Sequence, residues 1–82
     1  MKTEQDLIAL FKQVATEVDK REFQAVTGES VISDLGIDSL SMMQIVGEME
    51  LRLNIMIPDE DLVELVTVAD LVKVVERRLE AS

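Results

Sequence analysis

The 82-residue sequence contains no cysteine and no histidine. The first absence excludes disulfides, thiol nucleophiles and thiolate metal sites. The second removes the commonest general base and metal ligand of proteins. The remaining residues form no recognisable acid–base or nucleophile constellation, so we expect neither catalytic residues nor a resident metal.

Aromatic residues are also scarce, since Phe11 and Phe23 stand alone without any tryptophan or tyrosine. Apolar residues nevertheless make up 48% of the chain, enough for one core of Leu, Val, Ile and Met. No apolar run approaches the roughly 20 residues of a membrane-spanning helix, and the first residues do not resemble a signal peptide. We expect a single monomeric domain over residues 1–82, located in the cytoplasm and without a membrane span.

Basic side chains are few, and seven of the eight lie in the two terminal segments. The net charge is −9, and between Glu22 and Val72 eleven acids face one base, Arg52. Nucleic acid is excluded as a partner because its phosphates would be repelled. The charge favours partner enzymes with basic docking surfaces, reached by electrostatic steering. An acidic surface that serves solubility alone is the alternative.

Apolar residues recur at helical spacing in three segments, and no strand pattern competes with them. The spacing predicts a first helix over 3–18, a second over 39–53 and a last one beginning at Thr67. The single proline fits the start of a short helix over 58–64. We predict an all-α fold, a small four-helix bundle of three main helices and one short helix, with a long loop over 19–38.

Three polar positions mark the starts of the main helices. Thr3 with Asp6 and Thr67 with Asp70 form capping-box-like pairs, with Asp in place of the usual Glu. Asp38 is well placed to cap the second helix. Apolar residues of the long loop are expected to anchor it to the core: Phe23, Val26, Val31, Ile32 and Leu35.

Residues 34–40 read Asp-Leu-Gly-Ile-Asp-Ser-Leu and place one hydroxyl, Ser39, where a polar loop becomes an apolar helix. The unpaired N–H groups and the macrodipole of a helix start stabilise an attached phosphate. Taken alone, a serine at this position more often serves only as a hydrogen-bonding residue of the helix start. Ser39 has no neighbouring His or Lys to activate it, so it is a poor nucleophile by itself.

A calcium-binding EF-hand loop is an alternative for the same stretch, because acids and a glycine cluster there. That loop needs Gly at its sixth position and Glu at its twelfth. Counting from Asp34, these positions hold Ser39 and Ile45. The motif fails.

The 34–40 stretch closely resembles the phosphopantetheine attachment site of the acyl carrier protein family, where the serine between Asp and Leu carries the prosthetic arm. Residues 57–62 resemble the short third helix of that family, and Thr67-Val68 resembles the start of its last helix. The resemblance runs from about Asp34 to about Val75 in the expected order and spacing.

The resemblance implies that a phosphopantetheinyl transferase moves a 4′-phosphopantetheine arm from coenzyme A onto Ser39. Asp38 would lie close to the Mg²⁺ of that enzyme during transfer without holding a metal permanently. The thiol of the arm would then carry acyl groups as thioesters to the enzymes of fatty acid, polyketide or related specialised biosynthesis.

A helical wheel of the second helix places Leu40, Gly47 and Leu51 almost opposite its core stripe, which is centred near Val46 and Met49. Two exposed leucines beside a glycine predict a surface for partner docking, and burial under the long loop is the alternative. The predicted docking residues are Asp38, Leu40, Gln44, Gly47, Glu48, Glu50 and Leu51.

The departures from the family pattern concern the choice of partner. Gln44, Leu51 and Arg52 occupy positions that are often acidic in carriers of fatty acid synthesis. A carrier dedicated to a specialised pathway is therefore a serious alternative. A second class of function also stays open: an unmodified helical interaction module that docks partners through the Leu40/Leu51 face.

Overall fold

Three α-helices and two 3₁₀ turns make up the computed structural model, which describes residues 2–81. The helices confirm the predicted all-α fold and bundle. The elements in chain order are α1 (Glu4–Asp19), a first 3₁₀ turn (Ile32–Leu35), α2 (Ser39–Leu53), a second 3₁₀ turn (Asp59–Asp61) and α3 (Val68–Ala81).

The short helix predicted over 58–64 is a 3₁₀ turn of three residues, so that prediction was too long. Pro58 precedes the turn in an extended conformation instead of forming the first helical residue. The N–H of Asp61 bonds the carbonyl of Pro58 at 3.0 Å, and that of Leu62 bonds Asp59 at 2.9 Å. Both bonds join residues three positions apart, the pattern of a 3₁₀ turn and not of an α-helix.

The predicted caps are confirmed. Thr3 and Asp6 exchange two bonds of 3.0 and 3.1 Å between side chain and backbone. Thr67 and Asp70 form the same pair at 3.0 and 3.1 Å. Asn54 ends α2 in the left-handed conformation with φ +56°. These caps satisfy the N–H and carbonyl groups that helix ends leave unpaired.

The core lies where α1 packs against both α2 and α3. Phe11 of α1 is fully buried there, and each of the three helices contributes a stripe of buried side chains. The largest fully buried side chains are Leu7, Phe11 and Val14 of α1, Ile45 and Met49 of α2, and Val68, Leu71, Val72 and Val75 of α3. The predicted stripes therefore face inward, as helical periodicity requires.

The long loop is ordered by backbone bonds to the start of α3 as well as by apolar anchors. Phe23 and Ile32 are buried as predicted. In addition, the N–H of Val68 bonds the carbonyl of Ser30, and the N–H of Ala69 bonds that of Gly28, both at 2.9 Å. The loop thus supplies acceptors to N–H groups that α3 cannot pair internally, and it delivers the chain to the start of α2.

Candidate functional site at the start of the second helix

Ser39 is the first residue of α2, and its side chain is exposed. Asp38 precedes it in an extended conformation, and the Asp38 carboxylate accepts the N–H of Ser41 at 2.8 Å. The Asp38 carbonyl accepts the N–H of Met42 at 2.9 Å. Neither bond uses the N–H groups of Ser39 and Leu40, so these two groups are available to bind an anion at the helix start.

The three residues before Ser39 fix the position of the hydroxyl. Gly36 has φ +80°, a left-handed conformation that a residue with a Cβ adopts with strain. Ile37 is buried in the core, and Asp38 caps the helix. The chain reversal at Gly36, the buried side chain of Ile37 and the cap at Asp38 therefore fix the backbone before Ser39. Ser39 itself stays at the surface.

Ser39 lines two shallow grooves, which also share Met42 and Leu62. One has a volume of about 310 Å³ and lies against the long loop, and the other has about 320 Å³ and lies against the second 3₁₀ turn. The second groove is mainly apolar and is lined by Ser39, Met42, Met43, Asp59, Leu62 and Val63.

Met43 and Val63 were not predicted from the sequence as site residues. Their side chains are 60% and 80% exposed beside Ser39. Met43 follows Met42, which is partly buried against the core. A helical wheel of α2 alone cannot place Val63, which lies beyond the second 3₁₀ turn. The exposed apolar surface at the site is thus wider than the predicted strip.

The predicted strip on α2 lies at the surface. Leu40 and Leu51 are 68% and 77% exposed. Gln44 is also exposed, and a Cβ added at Gly47 would meet nothing within 4 Å. The long loop does not cover these residues, so the alternative of burial under it is wrong.

The acids predicted beside this strip hold parts of the fold together. The Glu50 carboxylate accepts the N–H of Ile57 at 2.6 Å, which ties the chain after α2 back to the helix. Glu48 accepts from Arg52 at 3.3 Å. Arg52 also pairs with Glu17 of α1, and that hydrogen bond lowers the pKa of Glu17 and raises the pKa of Arg52.

The residues at the start of α2 fit a covalently attached phosphodiester arm. An exposed hydroxyl is the type of group to which such an arm is attached, a helix start suits a phosphate, and an apolar groove suits an apolar chain. Over residues 2–81, no cluster of three or more His, Cys, Asp or Glu has an arrangement suited to a metal ion. None of the helices in this part of the chain has the length and apolarity to cross a membrane.

Comparison with known proteins agrees with this geometry. The family model for a phosphopantetheine attachment site matches residues 6–75. The chain is 41% identical to the acyl carrier protein of Rhodococcus erythropolis, over 98% of this chain and 88% of that protein. It is also 41% identical to the meromycolate extension acyl carrier protein of Mycolicibacterium smegmatis, over 92% of this chain and 77% of that protein.

Solved structures agree with the fold as well. The acyl carrier protein of Thermotoga maritima superposes with a TM-score of 0.89 at 29% identity, covering 95% of this chain and 92% of that one. The acetyl actinorhodin acyl carrier protein of Streptomyces coelicolor gives a TM-score of 0.72 at 27% identity, with coverages of 98% and 94%. The chain belongs to the acyl carrier protein family, whose members carry a covalent 4′-phosphopantetheine group.

Proposed function

We propose that Ser39 is the attachment point of the 4′-phosphopantetheine arm and that this chain presents thioester-linked acyl groups to partner enzymes. The observation that carries the proposal is the exposed Ser39 side chain at a capped helix start, where it lines two grooves. When bound, the arm supplies a terminal thiol for the acyl group, which this cysteine-free chain lacks.

The residues around Ser39 have separate tasks in this proposal. Asp38 uses its carboxylate to hold the helix start, so the proton of the hydroxyl would leave to a base of the phosphopantetheinyl transferase. Leu40, Met43 and Val63 surround the attachment point with exposed apolar surface. That surface would exclude water when a partner closes over the site.

We infer that partner enzymes dock along α2, with Leu40 and Leu51 as apolar contacts and Glu48 as a charged one. Gln44 and Gly47 would form the surface between them. Rim charges chiefly set the association rate and its salt dependence, whereas apolar anchors set the residence time. Because Glu48 pairs with Arg52, and Asp38 and Glu50 bond backbone N–H groups, we expect modest salt sensitivity.

Two single-residue variants test the attachment point. Ser39→Ala and Ser41→Ala would each be incubated with coenzyme A, Mg²⁺ and a broad-specificity phosphopantetheinyl transferase, and their intact masses measured. We expect the wild type and Ser41→Ala to gain the phosphopantetheine mass and Ser39→Ala to gain none. Modified Ser39→Ala would contradict the assignment, and an unmodified wild type would favour the alternative of an unmodified interaction module.

Leu51→Glu tests the docking surface. We expect weaker binding to a native partner by about 1 kcal/mol or more, because an apolar contact is lost and a charge must be desolvated. Binding kinetics would be compared with those of Lys73→Gln, an exposed change on α3. Tighter binding of Leu51→Glu would show that acidic attraction, not apolar contact, dominates.

The pathway belongs to the proposal as well. The meromycolate extension relative and the actinorhodin neighbour are both named for specialised products. These names support a specialised fatty acid or polyketide pathway as an alternative to housekeeping fatty acid synthesis.

We propose a monomeric, non-catalytic, cytoplasmic carrier. A net charge of −9 opposes self-association, and a chain without cysteines is compatible with a reducing compartment.

A further inference from the structure

Arg21 connects the end of α1 to the loop that precedes Ser39. Its Nη2 donates a hydrogen bond of 2.6 Å to the carbonyl of Leu35. Its guanidinium carbon lies 4.2 Å from the ring centroid of Phe23, and Nη2 lies 3.5 Å from the carboxylate of Asp19. A Cβ on Gly36 would approach Nη2 to 2.9 Å, so the guanidinium lies directly against that glycine.

The guanidinium is itself held in place from the α1 side. Phe23 is buried in the core and presents a ring face to it, and Asp19 is the last residue of α1. The positive charge of the guanidinium strengthens both its stacking on the Phe23 ring and its hydrogen bond to the Leu35 carbonyl, compared with a neutral group. A lysine would keep the positive charge, but its ammonium group lacks the planar shape that stacks on a ring and the forked arrangement of N–H donors.

The far side of the contact is the end of the first 3₁₀ turn. Leu35 is its last residue, and Gly36 reverses the chain with φ +80°. Only Ile37 and Asp38 then separate the reversal from Ser39. The carbonyl that Arg21 holds therefore belongs to the segment that sets the direction of approach to the helix start.

We propose that Arg21 is a positioning residue for modification: it holds the Leu35–Gly36 reversal so that Ser39 is presented to the phosphopantetheinyl transferase in one orientation. The inference rests on the proposed attachment at Ser39. Arg21 makes no contact with the reacting hydroxyl and acts through the backbone of the turn.

Loss of this contact has a kinetic signature distinct from general destabilisation. If the turn is held only part of the time, the binding-competent fraction falls and the apparent affinity for the transferase falls in proportion. Once the complex has formed, the transferase itself holds the loop. The KM for the carrier therefore rises, whereas kcat stays near its wild-type value.

The experiment measures transferase kinetics on wild type, Arg21→Gln, Arg21→Lys and Arg77→Gln, well below each melting temperature. Arg77→Gln is the matched control, because it removes the same charge from an exposed position of α3. For Arg21→Gln we expect KM to rise roughly threefold or more with kcat within about twofold. Arg21→Lys should lie between Arg21→Gln and wild type, and Arg77→Gln should match wild type.

Amide hydrogen exchange separates local loosening of the turn from general destabilisation of the fold, while the split between KM and kcat tests the positioning role. In Arg21→Gln the N–H of Gly36, which bonds Ser33 at 3.1 Å, should exchange faster while amides of α1 and α3 keep their wild-type rates. If Arg21→Gln proves unfolded, Arg21→Lys carries the same test with a smaller expected rise in KM.

A wild-type KM for both Arg21 variants, or faster exchange throughout the chain, would overturn the positioning role. That result would leave attachment at Ser39 intact. Modification of Ser39→Ala, or none of the wild type, would instead overturn both the proposed function and this inference.

Discussion

At the scale of single residues, carboxylates bonded to backbone N–H groups define where the helices begin. Asp6 and Asp70 each accept N–H groups at the start of a helix. These backbone bonds lower the pKa of both carboxyl groups, and Asp38 makes a bond of the same kind beside Ser39. The same local chemistry therefore sets two helix starts and the candidate site.

The lowered pKa of Asp70 gives a prediction about stability and pH. Because the folded pKa lies below the ordinary value of 3.8, the ionised carboxylate stabilises the fold at neutral pH. This contribution is lost as pH falls through the folded pKa. We expect Asp70→Asn to be less stable than wild type at neutral pH and the difference to shrink in acid.

Urea melts of both proteins at neutral pH and well below the ordinary carboxyl pKa would measure this difference. If the stability difference between wild type and Asp70→Asn does not change with pH, the shape of the Asp70 side chain matters and its charge does not.

At the scale of elements, α2 has two faces with different energetic roles. Its core face packs on α1, whereas Leu40 and Leu51 lie on the exposed face. A buried leucine stabilises a fold through transfer from water and through packing. An exposed leucine contributes little to folding and is available to a partner.

A matched pair of leucine variants tests this difference. Leu71 of α3 is fully buried and Leu51 of α2 is 77% exposed, so the same truncation probes two environments. We expect Leu71→Ala to lower the free energy of unfolding by about 2–5 kcal/mol and Leu51→Ala to change it by about 0.5 kcal/mol or less. Equal losses in denaturant melts would mean that Leu51 is part of the core.

Sequence reasoning worked well for elements whose ends carry local signals. Both bounds of α2 agree with the prediction, because Asp38 caps the start and Asn54 adopts the left-handed conformation at the end. The length of the element after Pro58 was overestimated, because a proline followed by acids is compatible with either a 3₁₀ turn or an α-helix. Ile37 and Ile57 were missed as core residues because they lie in loops without periodicity.

Contacts between residues distant in sequence escaped prediction for a different reason. Arg52 was identified only as a departure from an acidic pattern, yet it pairs with Glu17, 35 positions away. Arg21 likewise meets Leu35 across the long loop. Such pairs depend on how α1 and the loop are packed, and no local spacing encodes them.

At the scale of the whole molecule, the net charge of −9 lies on a body with a radius of gyration of 11.5 Å. Like charges at these separations repel one another in the folded state, and added ions screen them. We expect the melting temperature of the unmodified protein to rise with added NaCl or MgCl₂. A flat response across the titration would mean that pairs such as Arg78–Asp61 already balance the acids.

The central claim is that one hydroxyl, that of Ser39, carries the prosthetic arm. The most direct measurement is fragmentation mass spectrometry of the wild-type chain after modification, which assigns the added mass to a residue. Ser33 and Ser41 lie close enough in sequence to serve as internal controls. We predict that the whole added mass resides on Ser39. Mass on either neighbouring serine would contradict it.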